Sequence, residues 1–225
     1  MFKSIVYYIK SLFFMVVTYS FSTFYFLIGM PVLLSERITY AYVKIWTKIV
    51  IFLLQLFGVR TQIYKDKNIP DQAAIFCSNH QSYYEIVLLL SQLPRPVFIM
   101  KSSIMRVPLY NLYCKRMGMI PVDRSRRNIH WMTLAIKELN KGKQVVIFPE
   151  GTRNLNKNIP YKLGAFKLAK EMNMQITPVR TNSGEIWEGP GFLKQTGTAY
   201  IKFFKPINPE PDLLRETITE NDKPS

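Results

Sequence analysis

Cysteine and histidine are scarce in this 225-residue chain, which has two of each. Cys77 and Cys114 lie far apart with no metal-ligand neighbours, which argues against a disulfide framework or a zinc site and fits a reducing compartment. Acidic residues are also few: 15 Asp and Glu face 30 Lys and Arg, a formal net charge of +15. Such an excess predicts an acidic partner, whether nucleic acid, anionic lipid headgroups, or an anionic substrate and its carrier.

Several sequence signatures are absent as well. The chain has no internal repeat, low-complexity tract, Gly-rich nucleotide fingerprint, nucleophile elbow or metal-ligand cluster. Ser82 does not lie in a strand–turn–helix elbow, which disfavours a serine nucleophile. No nucleic-acid recognition motif accompanies the positive charge, so we expect a membrane or an anionic substrate as partner, with no metal and no bound cofactor.

The apolar residues are concentrated at the beginning of the chain. Residues 11–34 run for 24 positions without a charge, longer than the roughly 20 that a spanning helix needs. Gly29 and Pro31 predict that this helix kinks or ends near its far side. Because no small-residue cleavage site follows, a signal peptide is the weaker interpretation.

A second apolar stretch, residues 45–59, follows at once. Lys44 and Lys48 share one helical face at its beginning, which favours a segment that lies in the headgroup region or re-enters the bilayer. A buried core helix is the alternative. Lys and Arg flank the first stretch on both sides, so charge does not set the orientation. We expect residues 1–59 to anchor the chain in a membrane and residues 60–225 to form its second domain.

Short apolar runs alternate with helical patterns beyond a polar boundary at residues 58–71. The predicted strands are residues 73–78, 97–101, 119–123, 144–149, 175–180 and 198–204. The predicted helices are residues 82–93, 108–117, 128–140 and 163–172, and the polar end, 206–225, has at most one short helix. This alternation predicts an α/β domain whose mixed, largely parallel central sheet is flanked by helices.

The turn after the first predicted strand, residues 79–85 (NHQSYYE), carries a histidine and a carboxylate. If a helix begins near Ser82, Glu85 can reach back to one imidazole nitrogen of His80, fix its tautomer and stabilise the imidazolium. A histidine pKa of about 6.5 suits a general base near neutrality. The alternative is a helix cap in which Ser82 and Glu85 form a capping box and His80 is incidental, and the two interpretations are compatible.

A second turn with candidate catalytic or binding side chains, residues 148–154 (FPEGTRN), lies at the end of the predicted strand 144–149. We call this turn and residues 79–85 the two chemical turns. Gly151 permits a tight turn or the close approach of a ligand. Glu150 is placed to meet a substrate hydroxyl, and Arg153 offers a planar fork that matches phosphate. A solvated loop with an internal Glu150–Arg153 pair is the alternative.

Further basic residues stand at other strand ends. Lys101 and Arg124 each end or follow a predicted strand, so both can face the same cleft and help Arg153 to hold a phosphate. His130 has no carboxylate at matching spacing, and we interpret it as structural. We expect four other basic residues to face anionic headgroups: Arg126, Arg127, Lys141 and Lys143.

With these residues in view, the chain resembles the 1-acyl-sn-glycerol-3-phosphate acyltransferases of the glycerolipid acyltransferase superfamily. Residues 79–85 are similar to the family's Asn-His-x4-Asp motif, with Glu85 one methylene longer than the usual Asp, so the reach to His80 changes. Residues 148–154 match Phe-Pro-Glu-Gly-Thr-Arg-Ser, with Asn154 replacing Ser. The family's second motif, a Lys, a Pro, a Gly and a closing Asp-Arg, is similar to Lys101, Pro108, Gly118, Asp123 and Arg124. Its fourth motif, an apolar strand that ends in Pro-Val, is similar to the segment that ends in Pro178 and Val179.

The resemblance implies transfer of a fatty acyl group from acyl-carrier protein or acyl-CoA to the sn-2 hydroxyl of lysophosphatidate, giving phosphatidic acid without an acyl-enzyme intermediate. His80 is then the base and Glu85 its orienting carboxylate. The implied substrate-binding residues are Glu150, Gly151 and Thr152 at the acceptor pocket and Lys101, Arg124 and Arg153 at the phosphate. The implied location is the inner membrane, with the catalytic domain facing the cytoplasm. The alternatives are an acyltransferase for another lysolipid, such as a lyso-aminolipid, and a non-catalytic basic protein that binds membrane lipid.

Overall fold

Two long apolar helices begin the chain in the computed structural model, which describes residues 2–67, 69–123, 130–153, 159–187 and 195–220. Helix α1 is Phe2–Ile28 and helix α2 is Glu36–Leu56, with a 3-10 turn, Met30–Leu34, between them. The first helix ends just before Gly29 and Pro31, as predicted, because proline supplies no amide to continue the helical hydrogen bonds. Both helices are long and apolar enough to cross a bilayer.

Helix α2 begins well before residue 45, where the apolar pattern had placed the second segment. The cause is a cap: the Ser35 side chain accepts a hydrogen bond from the Ile38 amide. One face of α2 is buried against the remainder of the protein, and the Tyr40 hydroxyl donates to the Met117 carbonyl at 2.8 Å. The core-helix alternative therefore holds for this face, whereas the other face is exposed.

The exposed faces of α1 and α2 form an apolar surface of large side chains. On α1 these are Tyr8, Ile9, Leu12, Phe13, Val16, Tyr19, Phe24, Leu27 and Ile28, and on α2 Ile38, Ile45, Phe52 and Leu56. So many exposed large apolar side chains on two successive helices indicate a membrane or protein partner. Together with the length and composition of the helices, this exposure indicates that the helical pair associates with a membrane.

Seven strands form one sheet in the order β1-β7-β6-β2-β5-β3-β4. They are β1 (Val59–Lys65), β2 (Ala74–Ser78), β3 (Pro96–Lys101), β4 (Ile120–Val122), β5 (Gln144–Ile147), β6 (Ile176–Thr181) and β7 (Gly197–Phe203). Strands β6, β2, β5, β3 and β4 run parallel, and β7 pairs antiparallel with β6. The predicted mixed, largely parallel sheet is confirmed.

Strand β1 corrects the expectation of a polar boundary at residues 58–71. It is an edge strand that pairs in parallel only with β7, and of its seven residues only Val59 is buried. Because its side chains are mostly exposed, its sequence has no apolar run. Its pairing with β7, distant in sequence, makes it a strand.

Helices cover both faces of the sheet. After α2 they are α3 (Tyr84–Gln92), α4 (Tyr110–Met117), α5 (His130–Asn140), α6 (Gly164–Glu171), α7 (Ser183–Ile186) and α8 (Pro211–Glu220). Helices α1 to α4 and α7 share one core cluster with the sheet, and α5, α6 and α8 share the other. The inner strands, buried on both faces, therefore read as continuous apolar runs.

Lys143 is buried, which corrects the expectation that it faces headgroups. Its side chain is 1% exposed, and its Nζ lies 2.6 Å from Glu138 and 3.0 Å from Glu36 on α2. A lysine is buried only where it is paired, and here the pairing ties the N-terminal helices to the sheet domain. Lys141 is exposed and bonds Glu138, while Arg126 and Arg127 lie outside the described residues.

Candidate active site

Four neighbouring parallel strands end at one edge of the sheet, and their ends carry the chemical residues. In sheet order β6, β2, β5 and β3 are followed or ended by Ser183, His80, Glu150 and Lys101. Adjacent strands lie about 4.8 Å apart, so the two inner turns are in direct reach and β3 is about 10 Å from β2. Sites in α/β sheets form at this carboxyl edge.

His80 and Glu85 form the predicted pair. The Nδ1 of His80 lies 2.6 Å from Oε1 of Glu85, and both residues are buried, at 6% and 0% exposure. A carboxylate can only accept here, so Nδ1 carries the proton and Nε2 is the nitrogen free to accept one. The imidazole stacks on the Phe148 ring with centroids 4.1 Å apart, which fixes its plane.

The Glu85 carboxylate accepts four hydrogen bonds. Oε1 takes the Gln81 amide at 2.9 Å besides His80, and Oε2 takes the Ser82 amide at 2.8 Å and the Ser183 hydroxyl. The Glu85 half of the predicted capping box is thus present together with the dyad, because Glu85 accepts from the Ser82 amide, whereas the Ser82 hydroxyl accepts from the Tyr84 amide. The predicted change of reach leaves the contact to His80 intact, because Glu85 lies within hydrogen-bond distance of Nδ1.

Sequence reasoning missed the segment after β6. The Asn79 side chain exchanges two hydrogen bonds with the Thr181 backbone, at 2.8 and 2.9 Å, and the Gln81 side chain accepts from the Gly184 amide at 3.2 Å. The available signal was position: Ser183 stands just after a predicted strand, as His80 and Glu150 do. Which strand ends are neighbours depends on strand order, which the sequence pattern does not give.

Glu150 lies beside the histidine. Its Oε1 accepts from the His80 amide at 3.2 Å, while its buried Oε2 has no hydrogen-bond partner in the described part of the chain. Burial raises the pKa of Glu150 to about 7, and the charge of Glu85 adds to this, whereas the His80 amide and Arg215 oppose it. The site therefore holds an acidic group that changes charge near neutrality.

Gly151 turns the chain directly after Glu150. Its φ is +70°, and a Cβ there would lie 2.6 Å from Cε of Lys162. The Lys162 amide donates to the Pro149 carbonyl at 2.8 Å, which brings this lysine over the turn. Glycine is therefore favoured by the backbone conformation, and a larger residue would also displace the end of the Lys162 side chain. Lys162 is a cation of this turn that sequence reasoning did not select.

Arg153 is held by an aromatic ring. Its guanidinium carbon lies 3.6 Å from the centroid of the Tyr83 ring, a cation–π contact, and its buried Nε has no hydrogen-bond partner among residues that the structure describes. Glu150 bonds instead to the His80 backbone, so the Glu150–Arg153 pair of the solvated-loop alternative is replaced by separate partners.

The remaining predicted site residues are less constrained. Lys101 and Thr152 are exposed, Lys101 at the end of β3 and Thr152 in the turn after β5. Arg124 lies outside the described residues. Within the described ranges, no three His, Cys, Asp or Glu side chains come together as a metal site.

A family model described as acyltransferase matches residues 60–182, more than half of the chain and including both chemical turns. The chain belongs to the acyltransferase family. The family match begins within β1 and ends one residue before Ser183, so the helical pair and α8 lie outside it.

Individual acyltransferases are similar over most of the chain. The chloroplastic 1-acyl-sn-glycerol-3-phosphate acyltransferase of Brassica napus is 30% identical over 179 residues, 76% of this chain and 51% of that protein. The 1-acyl-sn-glycerol-3-phosphate acyltransferase of Pseudomonas aeruginosa is 28% identical over 175 residues, which cover 75% of this chain and 68% of that protein. The human alpha form is 33% identical over 146 residues, which cover 62% of this chain and 52% of that protein. The chain spans about half to two thirds of the length of these relatives.

A solved structure shares the whole architecture. The crystal structure of the 1-acyl-sn-glycerophosphate (LPA) acyltransferase from Thermotoga maritima superposes with a TM-score of 0.79, covering 94% of this chain and 92% of that one. The two sequences are 22% identical, so this likeness establishes the fold.

Proposed function

We propose that this chain transfers a fatty acyl group from a thioester, acyl-carrier protein or acyl-CoA, to the sn-2 hydroxyl of a 1-acyl-sn-glycerol-3-phosphate, giving phosphatidic acid. The observation that carries the proposal is the buried His80–Glu85 pair, 2.6 Å apart, beside a turn that holds an arginine and a carboxylate oxygen with no partner among the described residues. The relatives named for this reaction match the chain across the same turns.

In the proposed mechanism His80 is a general base. Its Nε2 takes the proton of the acceptor hydroxyl while Glu85 stabilises the imidazolium through Nδ1. The oxygen attacks the thioester carbonyl, the tetrahedral intermediate collapses, and the departing thiolate receives the proton from Nε2. The proton is returned and no acyl-enzyme forms, which agrees with the lack of a nucleophile elbow.

The acceptor's polar groups have candidate partners around the base. Oε2 of Glu150, buried and unpartnered within the described ranges, is suited to a glycerol hydroxyl. Arg153 is suited to the phosphate, because its Nε has no hydrogen-bond partner within the described ranges and its guanidinium is already oriented by the Tyr83 ring. Lys101 lies two strands from His80, and we assign it, with Arg124, to the outer side of the phosphate.

Residues 1–59 would hold this site at the bilayer, where acceptor and product partition, and residues 60–225 would form the catalytic domain. We place that domain on the cytoplasmic face of the inner membrane, where soluble thioesters are found. The net charge of +15 suits an anionic acceptor, an anionic membrane and an acidic carrier protein. The chemistry needs no metal or cofactor.

The test is acyl transfer by the purified protein in detergent. Lysophosphatidate and its dephosphorylated counterpart, 1-acylglycerol, would be offered with each donor in turn. We expect product from lysophosphatidate only, and a KM for it that rises on the order of tenfold or more in Arg153→Ala, because a charge-assisted contact is worth about 1.5–3 kcal/mol. Lys101→Ala should raise KM less, because Lys101 is exposed.

A solvent-facing lysine elsewhere provides the matched control. Lys141 is exposed and lies just before the first residue of β5, whereas the proposed site lies after its last residue. Lys141→Ala should therefore leave KM for lysophosphatidate unchanged. Equal turnover of both acceptors would contradict the phosphate assignment. Turnover of a lyso-aminolipid alone would establish the other acceptor class.

A further inference from the structure

Ser183 contacts the dyad from a third strand end. Its side chain is completely buried, and its hydroxyl donates to Oε2 of Glu85, the oxygen that His80 does not use. We infer that Ser183 is a positioning residue for the acyl-transfer reaction, acting through the Glu85 carboxylate. This inference rests on the proposed function of His80 as the base.

The backbone that carries the Ser183 hydroxyl is held by hydrogen bonds. The Ser183 amide donates to Oγ1 of Thr181 at 3.0 Å, and the next amide, that of Gly184, donates to the Gln81 side chain at 3.2 Å. Strand β6 is hydrogen-bonded directly to β2, so this segment is bound to the same sheet edge as His80. A donor held on two sides loses little conformational entropy when it bonds the carboxylate.

The carboxylate needs this donor to hold its plane. With Ser183 in place each oxygen accepts two hydrogen bonds, which use all of its in-plane acceptor positions. Without it Oε2 keeps one bond, to the Ser82 amide, while Oε1 keeps its two, so the carboxylate loses one of the four contacts that set its orientation. A carboxylate with fewer restraints holds Oε1 less firmly against Nδ1 and leaves the imidazolium less stabilised in the transition state.

Ser183→Ala should therefore lower kcat roughly ten- to hundredfold, the effect of one hydrogen bond to a charged group, while KM for lysophosphatidate stays unchanged. Ser78→Ala is the matched control. Ser78 is equally buried at the end of β2, but its hydroxyl bonds the Asn79 carbonyl rather than the carboxylate. It should keep kcat within about twofold of the wild type. Thermal unfolding of each variant in the same detergent identifies any loss that is due to misfolding.

A double-mutant cycle with Glu85→Ala separates positioning from a general structural role. If Ser183 acts through the carboxylate, Ser183→Ala costs nothing further once that carboxylate is removed. Equal kcat losses in the two backgrounds, or a kcat of folded Ser183→Ala equal to that of the wild type, would overturn the inference. An inactive wild-type protein would instead contradict the proposed function itself.

Discussion

Replacing Glu85 by glutamine changes one atom at the centre of the site and its effect can be worked out from the contacts. The carboxylate accepts four hydrogen bonds, two on each oxygen. A glutamine keeps one oxygen and puts an NH2 group in place of the other. In either orientation that NH2 group faces two groups that donate hydrogen bonds to the wild-type carboxylate. One of the two is always a backbone amide, that of Gln81 or that of Ser82.

The two orientations fail in different ways. With the NH2 group toward His80, the imidazole must accept at Nδ1, so its proton moves to Nε2 and blocks the base. With the NH2 group toward Ser183, the hydroxyl can rotate to accept, but the imidazolium has lost its carboxylate charge. The corresponding Asp→Asn change in the Ser-His-Asp triad lowers kcat about 10⁴-fold, and we expect a loss of about 10³–10⁴ here. One buried amide left without an acceptor costs about 1–3 kcal/mol of unfolding free energy.

The assay is kcat for acyl transfer to lysophosphatidate together with unfolding of the same samples in the same detergent. We expect folded Glu85→Gln protein with KM near the wild-type value, since this side chain does not contact the proposed phosphate site. A kcat within tenfold of the wild type would refute the reasoning, because His80 would then work without a charged partner.

Three further predictions concern charge and position. Lys143→Met should lower the unfolding free energy by about 1–3 kcal/mol, since Glu36 and Glu138 lose a buried donor although Glu138 keeps Lys141. Lys141→Met at an exposed site should cost about 0–1 kcal/mol, and equal losses would contradict the burial of Lys143. The pKa of Glu150 is raised from 4.5 to about 7 in the folded state, so between these pH values the folded protein binds a proton that the unfolded chain has lost. The unfolding free energy of the wild type, relative to that of Glu150→Gln, should therefore fall as pH rises from 4.5 to 7 and then level off. Parallel stability curves would contradict the raised pKa. Tyr83→Leu should raise KM for lysophosphatidate severalfold with kcat nearly unchanged, because it removes the ring under Arg153, and an unchanged KM would show that the arginine is held by other contacts.

Buried strands and chemical turns were predictable because each leaves a local pattern. Strands β2 and β5 are covered on both faces and therefore appear as apolar runs, and the turns after them concentrate His80, Glu85, Glu150 and Arg153 within a few residues. The end of α1 was predictable for the same reason, since Gly29 and Pro31 act on their own neighbourhood.

Features that depend on distant partners were not predictable. Strand β1 has no apolar run and exists through its pairing with β7. Lys143 reads as a surface residue until Glu36, far away in sequence, is placed beside it. Ser183 contacts Glu85 only because β6 lies next to β2, and a serine after a strand carries no pattern that identifies its partner.

The central claim is that His80 is the base for acyl transfer to a phosphorylated lysolipid. The most direct test compares kcat for lysophosphatidate in His80→Ala with that in His130→Ala, the chain's other histidine, which is exposed at the start of α5. We predict that kcat of folded His80→Ala falls by about 10²–10⁴-fold, the usual contribution of a general base, while His130→Ala retains the wild-type kcat. Near-normal turnover by His80→Ala would contradict the account.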